Sequence, residues 1–336
     1  MKYSKLGIVG AGNWGTTLAL CLNKEGLGVK LFEPIEERVE NLRIDRENKD
    51  FLPGYKIPED IVITSDPEKL VIDSDFVFFV LPSNVLKEIA NYFVKCVNGD
   101  KIVASFTKGV DPDTLLRMSE IIEKEIPSQK GKVVAVSGPS IAREVIKGVP
   151  TSLVAASDNM DRAEIVQDIL SSDNIRVYTS SDIIGVELGG AFKNVYAIAC
   201  GICDGMGLGM NAKAALITRA MAELSRLGVR MGGKEETFAG LSGFGDLIVT
   251  SFSSYSRNRT VGEELGEGKK LDYILSEMVE VAEGVRTTES ICKLADKYEI
   301  NMPVAREVYS ILYENKDPFD SIKDLMKREL KRERKK

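Results

Sequence analysis

The sequence of 336 residues contains no histidine. This absence excludes a zinc site built on imidazole, a Ser-His-Asp triad and a Cys-His dyad. Proton transfer near neutral pH must therefore use Lys, Asp, Glu, Tyr or Cys side chains.

Cysteine is scarce and follows no framework. Its five copies are Cys21, Cys96, Cys200, Cys203 and Cys292. An odd number of cysteines scattered through predicted helices fits a reducing compartment. The single C-x-x-C pair, Cys200 and Cys203, lies within one predicted helix, and we interpret it as core packing rather than a redox or metal site. We therefore predict no bound metal.

Long apolar runs are also missing. No stretch of eighteen consecutive apolar residues occurs, so we expect no integral membrane segment. The N-terminal apolar segment has a strand pattern followed by glycines, unlike a signal peptide, and the cytoplasm is the expected compartment.

The charge balance argues against a nucleic-acid partner. The net formal charge is −6, and the basic residues are dispersed except in the tail from Lys327 to Lys336. We predict that residues 331–336 form a disordered basic end, and contact with an anionic membrane is the alternative.

A glycine-rich motif stands near the start of the chain. Residues 5–9 form a short apolar strand pattern, and Gly10-Ala11-Gly12-Asn13-Trp14-Gly15 leads from it into an amphipathic helix. In such a G-x-G-x-x-G loop, Gly10 allows the tight turn, Gly12 lets a pyrophosphate approach the backbone, and Gly15 lets helix and strand pack closely. The helix N-terminus adds amide groups and positive partial charge. The motif predicts a dinucleotide site.

The next strand indicates which dinucleotide is bound. It runs from Val29 to Phe32 and ends at Glu33, about twenty residues after the glycines, where an acid can bind the adenine ribose hydroxyls. This favours NAD. Arg38 would reach a 2′-phosphate if the loop bends, so NADP use stays open.

Strand and helix patterns alternate up to about residue 180, which is typical of a doubly wound sheet. We therefore predict an α/β protein with a Rossmann-type domain over residues 1–180. Ligands of such sheets lie beyond the carboxyl ends of the strands. Two of those ends carry polar groups, at Lys108-Gly109 and at Ser137-Gly138-Pro139-Ser140. Each also has an ordinary reading, as a helix cap or a solvated loop.

From about residue 181 the pattern is helical, and we predict an all-α second domain over residues 181–330. It opens with an unusually apolar helix at 183–203, in which Gly189, Lys193, Ala197 and Gly201 fall on one stripe. Glycines in a helix are usually accepted where a ligand or another backbone comes close. The alternative is a core helix whose lysine extends to the surface.

A second polar cluster lies farther along the helical half. Asp246 follows Gly243-Phe244-Gly245, and Ser256-Arg257-Asn258 opens a predicted helix. A guanidinium fork beside a helix N-terminus suits a phosphate group. The alternative is a capped, exposed helix start.

Together these motifs resemble the NAD(P)-dependent glycerol-3-phosphate dehydrogenases of the bacterial type, over nearly the whole chain. The motifs that carry the resemblance are Gly10 to Thr16, Phe51 to Gly54, Thr107 to Gly109, Ser137 to Ser140, Glu187 to Asn194, Gly245 to Leu247, Ser256 to Arg259 and Val281 to Gly284. The resemblance implies reversible reduction of dihydroxyacetone phosphate to sn-glycerol 3-phosphate, supplying phospholipid synthesis, by a homodimer.

The resemblance also implies residue roles. Lys193 matches the family's proton acceptor. The positions that match substrate contacts, with Asn194 added beside the lysine, are Lys108, Gly138, Ser140, Lys193, Asn194, Asp246, Ser256, Arg257 and Asn258. The cofactor positions, including those of the glycine loop and Glu33, are Gly10, Gly12, Asn13, Trp14, Gly15, Glu33, Lys108, Ala142, Arg257, Val281 and Glu283. The family often carries a basic residue at Pro34, and its absence here agrees with a preference for NAD.

Two alternatives remain. β-Hydroxyacid dehydrogenases share a two-domain plan and a catalytic lysine, but they usually place an asparagine one turn beyond it, whereas Asn194 is adjacent here and position 197 is alanine. A protein that senses NADH without catalysis is the other alternative. The combination of Lys193, Asp246 and Arg257 argues against it, because a sensor has no need of a proton carrier.

Overall fold

The computed structural model describes residues 4–278, 280–330 and 332–333. Within these residues the chain forms one eight-stranded sheet followed by a group of packed helices. The strands are β1 (Lys5–Val9), β2 (Gly28–Phe32), β3 (Val62–Thr64), β4 (Phe76–Phe79), β5 (Ile102–Ser105), β6 (Val134–Ser137), β7 (Thr151–Ala156) and β8 (Ile175–Ser180).

The sheet has the order β3-β2-β1-β4-β5-β6-β7-β8. Strands β4, β5 and β6 are buried along their whole length, as expected for strands covered on both faces. The Rossmann-type doubly wound sheet predicted from the sequence is thus confirmed. One pairing differs from a purely parallel sheet, because β6 and β7 are antiparallel.

Helices cover both faces of this sheet. They are α1 (Asn13–Lys24), α2 (Glu36–Asp45), α3 (Pro67–Val71), α4 (Ser83–Tyr92), α5 (Met118–Glu125), α6 (Ala142–Val145) and α7 (Met160–Leu170), with a 3-10 turn at Pro127–Gln129. The sequence pattern predicts a helix over residues 113–125, but the helix begins only at Met118. The preceding residues form a turn instead, in which Leu115 N donates to Asp111 O and Asp111 N donates to Leu116 O.

The helical half follows the last strand. Its helices are α8 (Ile183–Gly205), α9 (Gly209–Arg230), α10 (Glu235–Phe238), α11 (Asp246–Phe252), α12 (Arg257–Gly266), α13 (Leu271–Glu277), α14 (Glu283–Lys297), α15 (Pro303–Tyr313) and α16 (Pro318–Met326). The change from sheet to helices falls between Ser180 and Ile183. The division into domains at residues 180 and 181 itself stays a prediction. Of the predicted basic end, residues 331 and 334–336 lie outside the described residues.

The long helix α8 is the centre of the helical half. Among the described residues it is the one helix long and apolar enough to cross a membrane, but 94% of its apolar window is buried inside the protein. Its side chains belong to the main core cluster of this half, together with those of α9, α12, α14 and α15. It is therefore a core helix.

Another backbone, rather than a ligand, lies against the glycine stripe of α8. A Cβ atom on Gly201 would lie 2.0 Å from Arg259 O, and one on Gly189 would lie 3.0 Å from Ser242 O. Lys193 does not extend to the surface, since it is 6% exposed. The alternative of a surface-reaching lysine is wrong, because polar partners inside the fold hold the ammonium group.

The glycines from Gly240 to Gly245 predict a break between helices, but Leu241–Gly245 is helical. Leu241–Gly245 forms a π-helical turn that continues directly into α11. Neither α10 nor α11 is predicted from the sequence pattern. Glycine lowers helix propensity, but here Gly243 packs where a Cβ atom would lie 2.1 Å from Phe238 O. This turn puts Asp246 at the start of α11, facing α8.

Candidate active site

A cleft of about 870 Å³ lies between the carboxyl ends of the strands and the helical half. All but two of the site residues predicted from the sequence line it. The exceptions are Gly15 and Gly138. Gly15 packs α1 against the loop, since a Cβ atom there would lie 1.9 Å from Gly10 O. Gly138 has φ +134° and its carbonyl accepts a hydrogen bond from Lys108 Nζ at 3.2 Å.

The glycine loop forms one end of the cleft and suits a pyrophosphate. Gly10 has φ +116°, and a Cβ atom there would lie 2.3 Å from Val80 O. Gly12 has open space around its missing side chain and stands at the N-cap of α1, where no side chain caps the helix. The α1 amides are thus free to meet an anion. Asn48, which the sequence analysis missed, supports the loop by donating to Ala11 O at 2.7 Å.

Glu33 lies at the end of β2 and lines the same part of the cleft. It is 3% exposed, and Arg38 NH1 lies 3.3 Å from its carboxylate. Burial raises the pKa of Glu33, and the Arg38 charge opposes this rise. The Arg38 guanidinium also lies over the Phe51 ring, 4.7 Å from its centroid. The loop therefore does bring Arg38 beside Glu33, and both residues line the cleft.

Lys193 and Asp246 form the polar centre of the cleft. Lys193 Nζ lies 3.0 Å from Asp246 Oδ1 and 2.5 Å from Thr250 Oγ1. Lys108 Nζ lies 2.5 Å from the other carboxylate oxygen, Asp246 Oδ2. One carboxylate thus holds two ammonium groups on one wall of the cleft.

The electrostatics of this cluster favour a lysine that exchanges its proton near neutrality. Burial lowers the pKa of Lys193 to about 8; Asp246 opposes this shift and the Lys108 charge adds to it. Burial alone would raise the pKa of Asp246, but Lys108 and Lys193 together bring it below its usual value. Asp246 is therefore a fixed anion, and Lys193 is the group of this pair suited to carry a proton.

The start of α12 forms the far end of the cleft. Ser256 caps the helix, since its hydroxyl accepts from Arg259 N at 3.2 Å. Arg257 is half-exposed, and its NH1 lies 3.1 Å from Glu280 Oε2. Arg257 also donates to Val281 O at 3.0 Å. An anion entering here would compete with Glu280, which the sequence analysis did not identify.

Asn194 and Asn258 are brought together, but they bind each other. Asn258 Nδ2 donates to Asn194 Oδ1 at 2.9 Å, and Asn258 Oδ1 accepts from Gly284 N at 2.8 Å. Asn258 therefore joins α8, α12 and α14 beside Lys193. No pattern along the chain indicates this pair, because its members are 64 residues apart.

Comparison with known proteins identifies the family. The family model for the N-terminal part of NAD-dependent glycerol-3-phosphate dehydrogenase matches residues 5–163, and the model for the C-terminal part matches residues 182–323. A glycerol-3-phosphate dehydrogenase (NAD(P)+) of Syntrophotalea carbinolica is 47% identical over 329 residues, which cover 98% of this chain and 99% of the relative.

The chain belongs to the NAD-dependent glycerol-3-phosphate dehydrogenase family.

A solved structure agrees with this assignment. The crystal structure of glycerol-3-phosphate dehydrogenase from Coxiella burnetii has a TM-score of 0.92 and 36% identity, and the match covers 97% of this chain and 99% of that one. A D-mandelate dehydrogenase solved with NADH has a TM-score of 0.60 at 13% identity, so it shares the fold alone. The resemblance inferred from the sequence is confirmed, and the family assignment takes the place of the hydroxyacid alternative.

Glu283 lines the cleft and connects the sheet half of this dehydrogenase to the helical half. Its carboxylate accepts hydrogen bonds from both the amide and the hydroxyl of Ser83, which opens α4 on the sheet side. Burial raises the pKa of Glu283, and the Ser83 hydrogen bonds oppose the rise. Glu283 thus fastens α14 to α4 at the rim of the cleft. Its predicted role as a cofactor contact stays a prediction.

Proposed function

We propose that the protein interconverts dihydroxyacetone phosphate and sn-glycerol 3-phosphate by hydride transfer, with Lys193 as the proton carrier. The observation that carries this proposal is the Lys193–Asp246–Lys108 cluster, which lies on the wall of a cleft that also contains the glycine loop. The residues around that loop suit a dinucleotide: the N-terminus of α1 is uncapped and Glu33 is a buried acid at the ribose end. A bound nicotinamide supplies or accepts the hydride.

Lys193 can serve both directions of the reaction. As an ammonium group it donates a proton to the C2 carbonyl oxygen during reduction. As a neutral amine it takes the proton from the C2 hydroxyl during oxidation. With the pKa of Lys193 at about 8, about a tenth of the molecules carry the neutral amine at pH 7, so both forms are available.

Asp246 and Lys108 position this proton carrier. The two oxygens of Asp246 hold one ammonium group each, which keeps Lys193 pointed into the cleft despite its burial. Lys108 also leaves a second positive charge close to the reacting oxygen. That charge stabilises negative charge developing on the oxygen before the proton arrives.

The phosphate group is assigned to the start of α12. The Arg257 guanidinium and the amides of the helix N-terminus are both located there. A bound phosphate would replace Glu280 as the ion-pair partner of Arg257. Holding the phosphate at one end fixes C2 beside Lys193, which is worth several orders of magnitude in rate in well-oriented systems. We assign Asn194, Ser256 and Asn258 to this end of the substrate pocket and Ser140 to its wall. Gly138 supports the pocket through the hydrogen bond that its carbonyl accepts from Lys108.

The cofactor is NAD or NADP, and we propose a preference for NAD. The support is Glu33, whose carboxylate suits the ribose hydroxyls and repels a 2′-phosphate. Arg38 lies close enough to Glu33 to lessen that repulsion, which leaves some NADP use. The homodimer and the supply of phospholipid synthesis rest on the family resemblance, and the cytoplasmic location rests on the strand pattern of the N-terminal segment.

The test is NADH oxidation with dihydroxyacetone phosphate and with unphosphorylated dihydroxyacetone, repeated with NADPH. We expect turnover of the phosphate alone, and a loss of at least about 100-fold in kcat/KM for Arg257→Ala, from the loss of a charge-assisted hydrogen bond to phosphate and of its positioning. Arg306→Ala is the matched control, because Arg306 is also half-exposed and ion-paired but lies away from the cleft. Equal turnover of both substrates, or an unaffected Arg257→Ala variant, would contradict the phosphate site.

A further inference from the structure

A buried hydroxyl group of the cleft, that of Ser137, is not used by the described part of the fold. Ser137 is the last residue of β6, it is 4% exposed, and it lines the cleft. Among the described residues its Oγ atom finds no hydrogen-bond partner. Buried hydroxyls usually have a partner, and a missing partner in a ligand-binding cleft indicates a group that the ligand supplies.

The surroundings of Ser137 place it beside the proton carrier. A Cβ atom on Gly190 would lie 2.4 Å from Ser137 Oγ and 3.7 Å from Lys108 Cδ. The Ser137 hydroxyl therefore lies directly on α8, where Gly190 leaves room for it. Lys193 follows Gly190 by three residues and shares its face of the helix.

The order of groups along α8 suggests which part of the substrate Ser137 meets. Ser137 contacts α8 at Gly190, and the start of α12 joins it at Asn194 through Asn258. Gly190 and Asn194 are one turn apart, about 6 Å along the helix axis, and Lys193 lies between them. A three-carbon substrate with its phosphate at α12 and its C2 oxygen at Lys193 directs its remaining hydroxymethyl group towards Ser137.

We propose that Ser137 forms a subsite for the unphosphorylated C1 hydroxyl group of the substrate. This inference rests on the proposed function and extends it to substrate selection. The serine hydroxyl can both donate and accept a hydrogen bond. In this structure it faces Gly190, and the proposal requires it to turn towards the substrate by a change of its χ1 rotamer. A substrate without the hydroxyl leaves Ser137 unpaired, so the site rejects it.

The test combines a change in the enzyme with a change in the substrate. Wild-type protein and Ser137→Ala are each assayed for kcat/KM with dihydroxyacetone phosphate and with hydroxyacetone phosphate, which has a methyl group in place of the hydroxymethyl group. We expect the wild type to prefer dihydroxyacetone phosphate by at least about tenfold, the effect of one hydrogen bond. Ser137→Ala should lose most of that preference, and the KM for NADH should stay unchanged.

The controls separate this role from the others that Ser137 can have. Ser321→Ala removes another buried hydroxyl without a partner among the described residues, far from the cleft, and should leave the preference as in the wild type. Because the Ser137 hydroxyl has no partner to lose in the described part of the chain, Ser137→Ala should unfold at the same temperature as the wild type or higher.

Any of four outcomes would overturn the inference. Equal losses on both substrates would make Ser137 a structural residue, and a raised KM for NADH with the preference retained would assign it to the nicotinamide. A wild type that does not turn over dihydroxyacetone phosphate would overturn the proposed function, and this inference with it. Turnover by the wild type with an unchanged preference in Ser137→Ala would overturn the Ser137 subsite alone.

Discussion

Replacing Asp246 with asparagine is expected to lower the pKa of Lys193. The Asp246 carboxylate lies 3.0 Å from Lys193 Nζ and favours its charged form. Asparagine keeps the shape and a hydrogen-bonding oxygen but removes the negative charge. Burial and the nearby Lys108 charge, which both favour the neutral amine, then act without opposition.

The size of the shift follows from Coulomb's law. Two unit charges 3.0 Å apart interact by about 5–6 kcal/mol at an effective dielectric constant of 20, or about 4 pH units. Lys108 shares the same carboxylate at 2.5 Å, so we take about half of this interaction for Lys193. From a value of about 8, the pKa of Lys193 should fall by about 2 units in Asp246→Asn.

The pH dependence of kcat/KM measures this value in the free enzyme. For glycerol 3-phosphate oxidation, which needs the neutral amine, the wild-type kcat/KM should rise with pH with an apparent pKa near 8. The kcat/KM of Asp246→Asn should already have reached its plateau at that pH. For reduction, which needs the ammonium group, the fall at high pH should move to lower pH by the same amount.

A matched control uses Asp204, a partly buried aspartate on α8 that also pairs with a lysine. Asp204 Oδ2 lies 2.7 Å from Lys213 Nζ, outside the cleft. Asp204→Asn should leave the pH profile unchanged. An unmoved profile in Asp246→Asn, or one shifted to higher pH, would refute Lys193 as the titrating group or Asp246 as the charge that tunes it.

Two further predictions concern the helical half. Gly201→Ala should lower the free energy of unfolding by about 1–3 kcal/mol or more, because its Cβ atom would lie 2.0 Å from Arg259 O and force α12 away from α8. Gly28→Ala, whose Cβ atom would make ordinary contacts of 3.6 Å or more, should change it little, and equal denaturation midpoints would contradict this packing argument. Burial raises the pKa of Glu223 from 4.5 to about 7. The protonated carboxyl group therefore adds to the free energy of unfolding below about pH 4.5, and this contribution is lost as the pH rises through 7. Relative to Glu223→Gln, the wild type should lose about 2–3 kcal/mol between pH 5 and pH 8 in urea unfolding, and a constant difference would show that Glu223 does not titrate in this range.

The fold class was predictable because it depends on local patterns. Apolar runs such as residues 76–79 mark strands covered on both faces, and the alternation with helices marks a doubly wound sheet. The antiparallel β7 was not predictable in this way, because strand direction depends on how the chain returns to the sheet. The helix at Asp246 was missed because glycine propensity predicts a break, whereas close backbone packing at Gly243 overrides it.

The sequence by itself determined the parts of the site that depend on one segment. The glycine loop needs residues that tolerate φ values such as the +116° of Gly10, and the absence of histidine made a lysine the expected proton carrier. Only the tertiary structure decided the partners of that lysine. Asp246 and Thr250 are separated from Lys193 by more than fifty residues, and the pKa of the lysine depends on burial and on charges a few ångströms away. Local sequence propensity predicts neither the burial of Lys193 nor the charges around it, because both arise only when α8, α11 and the strand ends pack together.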